Sequence, residues 1–574
     1  MKTCLLSTVL SLIAAVSMPA CVKGPSSGLR TASTGVFGYA DVHNHQFAYL
    51  GFGGLAVVGT AFSPDDSIAT SLAPDTPVHG LWHLGDPISL FDGPRPGMIG
   101  NGGYPDFQGW PNWSSIDHQQ VYYEWLKRAY DGGLRLLSVL AVSNTVLCEL
   151  LQEKKGQKVF PSCSDMEAVD RQIQAAVDLE AYIDKKDGGA GKGWYRIARS
   201  SREARSILNE GKLVVVLGIE VSDLFDCMNQ NCTEADVDRK LHAYHEKGVR
   251  QVLAVHEFNN AFSGAAIFLN ALNFGNFKAT KKYFEAEDCS GDGFSYKFKP
   301  TLGDMFLKFY TGTDIWNDAP HYPGRADCNR LGLTPLGKYL IGRMMDKHMI
   351  VDVDHMSNKA TNETLTIAEE RRYPVISSHS TFLATARKTK KDNQQSEFHK
   401  TDAQLKRIRD LGGLIAPILQ TFKRKQTVQS SKIKLDCDYC SKEWAQRYLH
   451  AVELMKDGTN QVPAVALGSD FNGMIHHVSP RFFQAQSNQK NPVIYPFKGH
   501  GEYNVLFTQD KTGDRLWDFN TDGLAHAGMM PDFIQDLTNI GLTDSDLAPL
   551  FHSAEAYVQM WEKIDSKGML RVEQ

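Results

Sequence analysis

"VFGYADVHNH", residues 36–45, is an apolar, β-branched run that ends in two histidines two positions apart. Side chains alternate along a strand, so His43 and His45 point the same way, with Asp41 on the same face below them. Repetition decides what kind of sheet this strand belongs to. Runs of the same type follow helical segments along the chain: "LRLLSVLAVSN" (134–144), "LVVVLGIE" (213–220), "VRQVLAVHE" (249–257) and "MIVDVDHMS" (349–357). "YPVISSHS" (373–380), "GGLIAPIL" (412–419) and "AVALGSDFN" (464–472) complete the series. Near-continuous apolar runs of this length suit strands buried on both faces, as in a parallel sheet.

Helical periodicity fills the intervals, as in "HQQVYYEWLKRAYDGG", "TEADVDRKLHAYHEKG" and "TPLGKYLIGRMMDKH", where Thr334 is a natural N-cap and Pro335 suits the first helical position. Strands alternating with helices in this number predict a closed (β/α)8, TIM-like barrel. No Gly-rich phosphate turn follows the first strand, which weighs against an open doubly wound sheet. Such a barrel needs about 250 residues, and three long insertions account for the excess: about 46–115, 261–333 and 473–525. Each follows a strand, so each is expected in a loop at the C-terminal face, the third as a polar, irregular segment. "DCSGDGF" (288–294) imitates the start of a calcium loop, but Lys299 stands where the closing Glu is required.

The chain has 574 residues, 42% of them hydrophobic, and a formal net charge of −5. That charge offers no basic field to neutralise phosphates and excludes nucleic acid as the main partner. Lys2, the apolar run Cys4–Met18 and "SMPAC" read as an export signal over residues 1–20. The pattern resembles a bacterial lipoprotein signal, with Cys21 lipidated as the mature N-terminus; plain secretion with cleavage near Ala20 is the alternative. Residues 21–35 then form a tether and 36–574 the barrel. Either route predicts an exported protein, periplasmic or at the cell surface, with a membrane partner if Cys21 is modified. A second copy of the chain is left open as a partner.

Cysteine usage agrees with that address. Nearest-neighbour pairing joins Cys148 to Cys163, Cys227 to Cys232, Cys289 to Cys328 and Cys437 to Cys440. "CDYC" (437–440) lacks a second CxxC, so a structural staple is expected there.

The strand ends carry the chemistry. Beyond His43 and His45, the runs end in Glu220, His256, His355, His379 and Asp470. Any one of these residues has an ordinary structural reading: a cap, a core histidine, a turn. Convergence of all of them on the face where barrel enzymes keep their sites points to catalysis. Imidazoles plus carboxylates suit Zn²⁺ or a similar divalent ion, and a carboxylate between two ions suits a binuclear centre. Two such ions would generate hydroxide at neutral pH and polarise a scissile carbonyl, without a serine or cysteine nucleophile. Asp470 would take the proton from the bridging water and return it to the leaving amine.

Taken in order, "LGIEVSD" (217–223), "GVRQVLAVHEFNN" (248–260), "LTPLGKYLIGRMMDKHMIVDVDHMS" (333–357), "YPVISSHS" and "ALGSDFNG" (466–473) resemble the membrane (renal-type) dipeptidase family of the amidohydrolase superfamily. The resemblance implies two zinc ions and cleavage of dipeptides, including some with a C-terminal D-residue. Carried onto this chain, His43 and His45 hold one ion, His355 and His379 the other, and Glu220 bridges them. His256 contacts the substrate or its oxyanion, and Asp470 is the acid and base. Two departures stand out. The family has His-x-Asp on the first strand, where this chain has His43-x-His45, which removes a negative charge opposite the ions. The family's substrate-gripping Arg finds its counterpart in Arg387, at altered spacing, with Lys390 and Lys391 as rivals. His476 and His477 read as loop residues.

The expected function is therefore an exported zinc dipeptidase. Hydrolysis of a non-peptide amide, lactone or ester is the alternative. A surface binding protein, with Trp82, Trp110 and Trp113 as a ligand platform, is the third.

Overall fold

The ring of the barrel is built around its longest pairing, in which β2 (Leu134–Ser143) and β4 (Leu213–Val221) run parallel from Leu136↔Val214 to Ser143↔Val221. The computed structural model describes residues 35–74, 102–156, 158–299, 320–386, 395–422, 430–459, 461–482 and 489–572. Residues 1–20, expected to be an export signal, Cys21, most of the expected tether, Trp82, Arg387, Lys390 and Lys391 lie outside the described residues.

In chain order the other strands are β1 (Tyr39–Asn44), β3 (Tyr195–Ile197), β5 (Val249–Leu253), β6 (Ala286–Asp288), β7 (Asp327–Asn329), β8 (Ile350–Asp352), β9 (Ile376–Ser380) and β10 (Leu414–Pro417). The ring follows β1-β2-β4-β5-β8-β9-β10, and every pairing in it is parallel. β4 and β9 are buried throughout, as expected of strands covered on one face by helices and on the other by the barrel interior. The chain thus folds as the (β/α)8-type barrel predicted from the runs.

Segment 464–472 closes the ring without forming a regular strand. It is joined by single parallel bridges, Asp41↔Leu467 to β1 and Ile418↔Gly468 just past β10. Backbone bonds complete the closure: the Val42 N–H donates to the Leu467 carbonyl at 2.9 Å, and the Leu419 N–H to the Gly468 carbonyl at 2.9 Å. Gly468 is needed there, because a Cβ would stand 2.1 Å from the Ser378 carbonyl and 2.9 Å from the His379 Cα. β3 was not foreseen. It pairs parallel with β4 outside the ring, after the long helix Asp165–Lys186.

Where they are described, the insertions contain regular structure. The second carries the helix Asn270–Thr280 and the antiparallel pair β6–β7, stapled by Cys289–Cys328. The third, expected to be irregular, contains two small antiparallel hairpins, Phe497–Lys498 with Leu506–Phe507 and Asp510–Thr512 with Arg515–Trp517. It also travels far: His500 and Tyr503 stack on Phe37, two residues before β1, with ring centroids 6.2 and 5.9 Å away. In the first insertion Trp110 and Trp113 are buried, so neither presents a ligand platform. All four cysteine pairings read from spacing are present, with Cα–Cα distances of 5.6, 5.6, 5.8 and 5.9 Å. Among the described residues no helix is long and apolar enough to cross a membrane.

Candidate metal centre

Glu220 stands at the C-terminal end of β4, in register with Val142 of β2, and is 1% exposed. Its two oxygens face two groups of imidazoles. Oε2 lies 3.0 Å from His43 Nε2 and 3.0 Å from His45 Nε2. Oε1 lies 3.3 Å from His355 Nε2, 3.8 Å from His379 Nε2 and 3.9 Å from His256 Nε2. Asp470 completes the first group, with Oδ1 3.1 Å from His45 Nε2 and 3.9 Å from His43 Nε2. The parallel ring explains the convergence, since every strand delivers its last residues to the same end of the barrel.

Neighbouring groups fix the direction in which the imidazoles present their lone pairs. His45 Nδ1 lies 2.9 Å from the Leu140 carbonyl, which can only accept, so Nδ1 carries the proton. His43 Nδ1 meets Ser378 Oγ at 2.8 Å, and His379 Nδ1 lies 3.1 Å from Asp354 Oδ2. These contacts hold three Nε2 atoms toward the centre, the orientation that ligating histidines take from their outer partners. The same Asp354 oxygen accepts the His379 backbone N–H at 2.7 Å, and Lys400 Nζ stands behind it, 3.5 Å from Oδ1.

The loops that carry the outer residues are equally constrained. His355 and Asp470 both occupy the left-handed region, at φ of 58° and 53°, a conformation that costs energy for a residue with a Cβ and persists where surrounding contacts enforce it. For His355 the enforcing contact is the Ala266 N–H, which donates to its carbonyl at 2.8 Å. For Asp470 it is the backbone bond from its own N–H to the His43 carbonyl at 2.9 Å. The preceding Ser469 hydroxyl donates to Asp41 Oδ2 at 2.6 Å. Asp41, on the His43 face of β1, therefore anchors the closing segment. His476 and His477, read as loop residues, are both buried; the His477 imidazole lies 3.0 Å from the Ser469 carbonyl.

Electrostatics separates the histidines into two kinds. Burial pushes His43 down to about 4, and it drives His355 well below its ordinary value, so both are neutral. Burial also opposes charge on His45, but hydrogen bonds to Asp470 and Glu220 outweigh it and raise the pKa to about 10. His379 is likewise penalised by burial and held up to about 9 by Asp354. Desolvation works against the charged forms of Glu220 and Asp470, yet the surrounding imidazoles keep both below the usual carboxylate range.

Nitrogen and carboxylate donors in this arrangement fit divalent cations. Glu220 Oε1 is buried with no hydrogen-bond partner, and His355 Nε2 faces His379 Nε2 at 2.9 Å. A hydrogen bond between those two nitrogens still leaves the carboxylate oxygen without a partner, whereas a cation would accept lone pairs from both nitrogens and from that oxygen. Three overlapping sets meet the spacing of a metal site: His43, Glu220 and His379; His43, His45 and Asp470; and Glu220, His256 and His355. The structure therefore brings together His43, His45, Glu220, His256, His355, His379 and Asp470. Sequence reading missed Asp354, Lys400, Ser378 and the Leu140 carbonyl. Asp354 and Ser378 adjoin His355 and His379 in the sequence, a signal that was available.

A model of the membrane dipeptidase family (peptidase family M19) matches residues 307–480. That stretch includes His355, His379 and Asp470, so the resemblance read from the strand-end motifs is matched there. An uncharacterised protein from the PQQ-III 3′ region of Acinetobacter calcoaceticus is 33% identical over 96 residues, 17% of this chain and 26% of that one. The match thus spans about a quarter of that relative. Among solved structures, a metallopeptidase from Rhodobacter sphaeroides bound to a phosphinate mimic of L-Ala-D-Ala is 14% identical, with a TM-score of 0.41 over 76% of this chain and 89% of that one. The probable dipeptidase PvdM of Pseudomonas aeruginosa is 17% identical, with a TM-score of 0.41 over 77% of this chain and 88% of that one. Residues 307–480 carry the membrane dipeptidase pattern, and the strand ends bring together side chains that could hold a metal ion, as a metal-dependent hydrolase requires.

Proposed function

We propose that this relative of the membrane dipeptidases hydrolyses the peptide bond of dipeptides, C-terminal D-residues included, at a centre of two zinc ions. The observation that carries the reading is Glu220, whose two oxygens face separate imidazole groups within 3.0 to 3.9 Å. His43 and His45 would hold one ion, His355 and His379 the other, with Glu220 shared. Bound divalent ions supply a Lewis acid and make water acidic enough to attack at neutral pH.

The remaining work falls to the chain's own groups. Asp470 is held ionised beside His45, so Oδ1 is placed to take a proton from the attacking water and return it to the leaving amine. His256 is the most accessible imidazole of the cluster, with a side chain 12% exposed, and is suited to contact the substrate carbonyl as negative charge develops on it. The His355 and Asp470 backbones are held by bonds to neighbouring strands and loops, so the donors are oriented before substrate arrives.

Four disulfides support an exported protein, and we assign its membrane attachment to a lipid on Cys21. His45, an imidazole where the family has a carboxylate, favours a second reading in which the scissile bond is a non-peptide amide, lactone or ester. One experiment tests both: metal per chain on the purified protein, with hydrolysis of L,L and L,D dipeptides and of their C-terminally amidated forms. About two zinc per chain with turnover of the free dipeptides alone supports the dipeptidase. Two ions without any dipeptide turnover would replace it with the second reading. Size measurement on the same sample reports self-association.

A further inference from the structure

Two half-buried phenylalanines lean over the His355 and His379 side of the centre. The Phe398 ring lies 5.2 Å from that of His355 and 5.9 Å from that of His379. Phe268 lies 4.8 Å from Phe398 and 6.1 Å from His355. The two rings come from distant parts of the chain, one from the second insertion and one from the segment before the helix Asp402–Asp410. A single carboxylate holds them together. Glu397, adjacent to Phe398, accepts the backbone N–H of Ile267, adjacent to Phe268, at 2.8 Å. It also accepts those of Asn329 at 2.7 Å and Asn358 at 2.8 Å. One buried side chain thus ties the insertion, β7 and the start of the helix Asn358–Arg371 to the residue that carries the ring.

Packing alone does not require this. A ring that served only to shield His355 would be expected to be fully buried, as Phe262 and Phe382 are, whereas Phe268 and Phe398 keep part of their surface open. Rigid, partly exposed aromatic surface beside a polar centre lowers the entropy cost of binding an apolar group and favours it by removing both surfaces from water. Across Glu220 from the rings, the centre presents His45 and Asp470, which offer an apolar side chain nothing. We propose that Phe268 and Phe398 form a preorganised aromatic wall that selects dipeptides carrying a bulky apolar side chain. This rests on the dipeptidase reading and names the substrate class within it.

The test compares Ala-Ala with Phe-Ala, Leu-Ala, Ala-Phe and Ala-Leu on the metal-loaded full chain. The wild type is expected to prefer the bulky apolar members at one position by about tenfold or more in kcat/KM. Phe398→Ala and, separately, Phe268→Ala are expected to cut that preference ratio by about tenfold, mainly through KM, with metal per chain preserved. Phe398→Leu should restore most of it, which a purely steric loss of structure would not allow. A wild type that hydrolyses Ala-Ala as well as every bulky member overturns the wall and leaves the dipeptidase standing. So do variants that lose activity on all substrates in equal proportion. Metal-loaded wild type that cleaves no dipeptide at all overturns the underlying reading, and the wall's assigned substrate with it.

Discussion

Asp354 grips His379 twice through one oxygen, which accepts the backbone N–H at 2.7 Å and lies 3.1 Å from the ring Nδ1. Its other oxygen lies 3.5 Å from Lys400, a lysine that is 1% exposed. A carboxylate behind an imidazole makes the ring nitrogen facing the centre more basic and fixes its tautomer, and the buried cation beyond it keeps the carboxylate ionised. Desolvation would otherwise push Asp354 up, yet Lys400 and His379 hold it well below the usual range.

Replacing Asp354 with Asn should therefore weaken metal binding by about 10- to 100-fold. It leaves the Lys400 charge buried without its partner, so stability falls too. The double variant Asp354→Asn, Lys400→Met separates the two effects. It should regain melting temperature but not metal affinity, as measured by competition with a chromophoric chelator. Recovery of both would mean that the pair serves packing alone.

Asp470→Asn keeps the size and the backbone conformation of the closing segment while removing the base. Metal per chain should stay at the wild-type value, and kcat should fall by about 10²- to 10⁴-fold. Loss of metal in proportion to activity would instead make Asp470 chiefly a ligand, as its 3.1 Å approach to His45 permits.

Much of this centre was legible because a parallel ring sends every strand end to one face, so His43, Glu220, His355 and Asp470 could be grouped from position alone. The same rule fails where the contact depends on distance in sequence. Lys400 reaches Asp354 across 46 residues, and nothing local in "EFHKTD" marks it. Phe398 and Phe268 meet across 130 residues, next to the bond from the Ile267 backbone to Glu397. β3 was missed because "YRI" is too short to register as a period, and its pairing with β4 lies outside the ring. The closing segment read as a strand from its apolar run, but Gly468 and the turn at Asp470 leave it only single bridges.

His45→Asp restores the carboxylate that the family carries and tests what the imidazole contributes. Without metal, His45 stands between Glu220 Oε2 at 3.0 Å and Asp470 Oδ1 at 3.1 Å and shares its charge with both. The substitution places a third carboxylate there, and like charges at that spacing repel strongly. The melting temperature of the chelator-treated variant should drop by about 5 °C or more, and added zinc should recover most of that loss. An unchanged metal-free melting temperature would mean that His45 is neutral in the metal-free protein.

Proton release on metal loading tests the same assignment independently. With pKa values of about 10 and 9, His45 and His379 carry their second protons at pH 7 in the metal-free protein, whereas His43, at about 4, does not. For folding, both raised histidines contribute stability that is fully present below about 6.5 and is lost as pH rises through about 9 to 10. Metal binding runs the other way, because a cation must displace those two protons from Nε2. Stabilisation by metal should therefore grow as pH rises toward about 9 to 10 and level off above that. Calorimetric titration at pH 7 in buffers of different ionisation enthalpy counts the protons released. At saturating zinc, His45→Gln should release about one proton fewer than wild type, and His43→Gln the same number as wild type. Equal counts for wild type and His45→Gln would show that His45 meets the metal already neutral, and the charge assigned to it between Glu220 and Asp470 would fall.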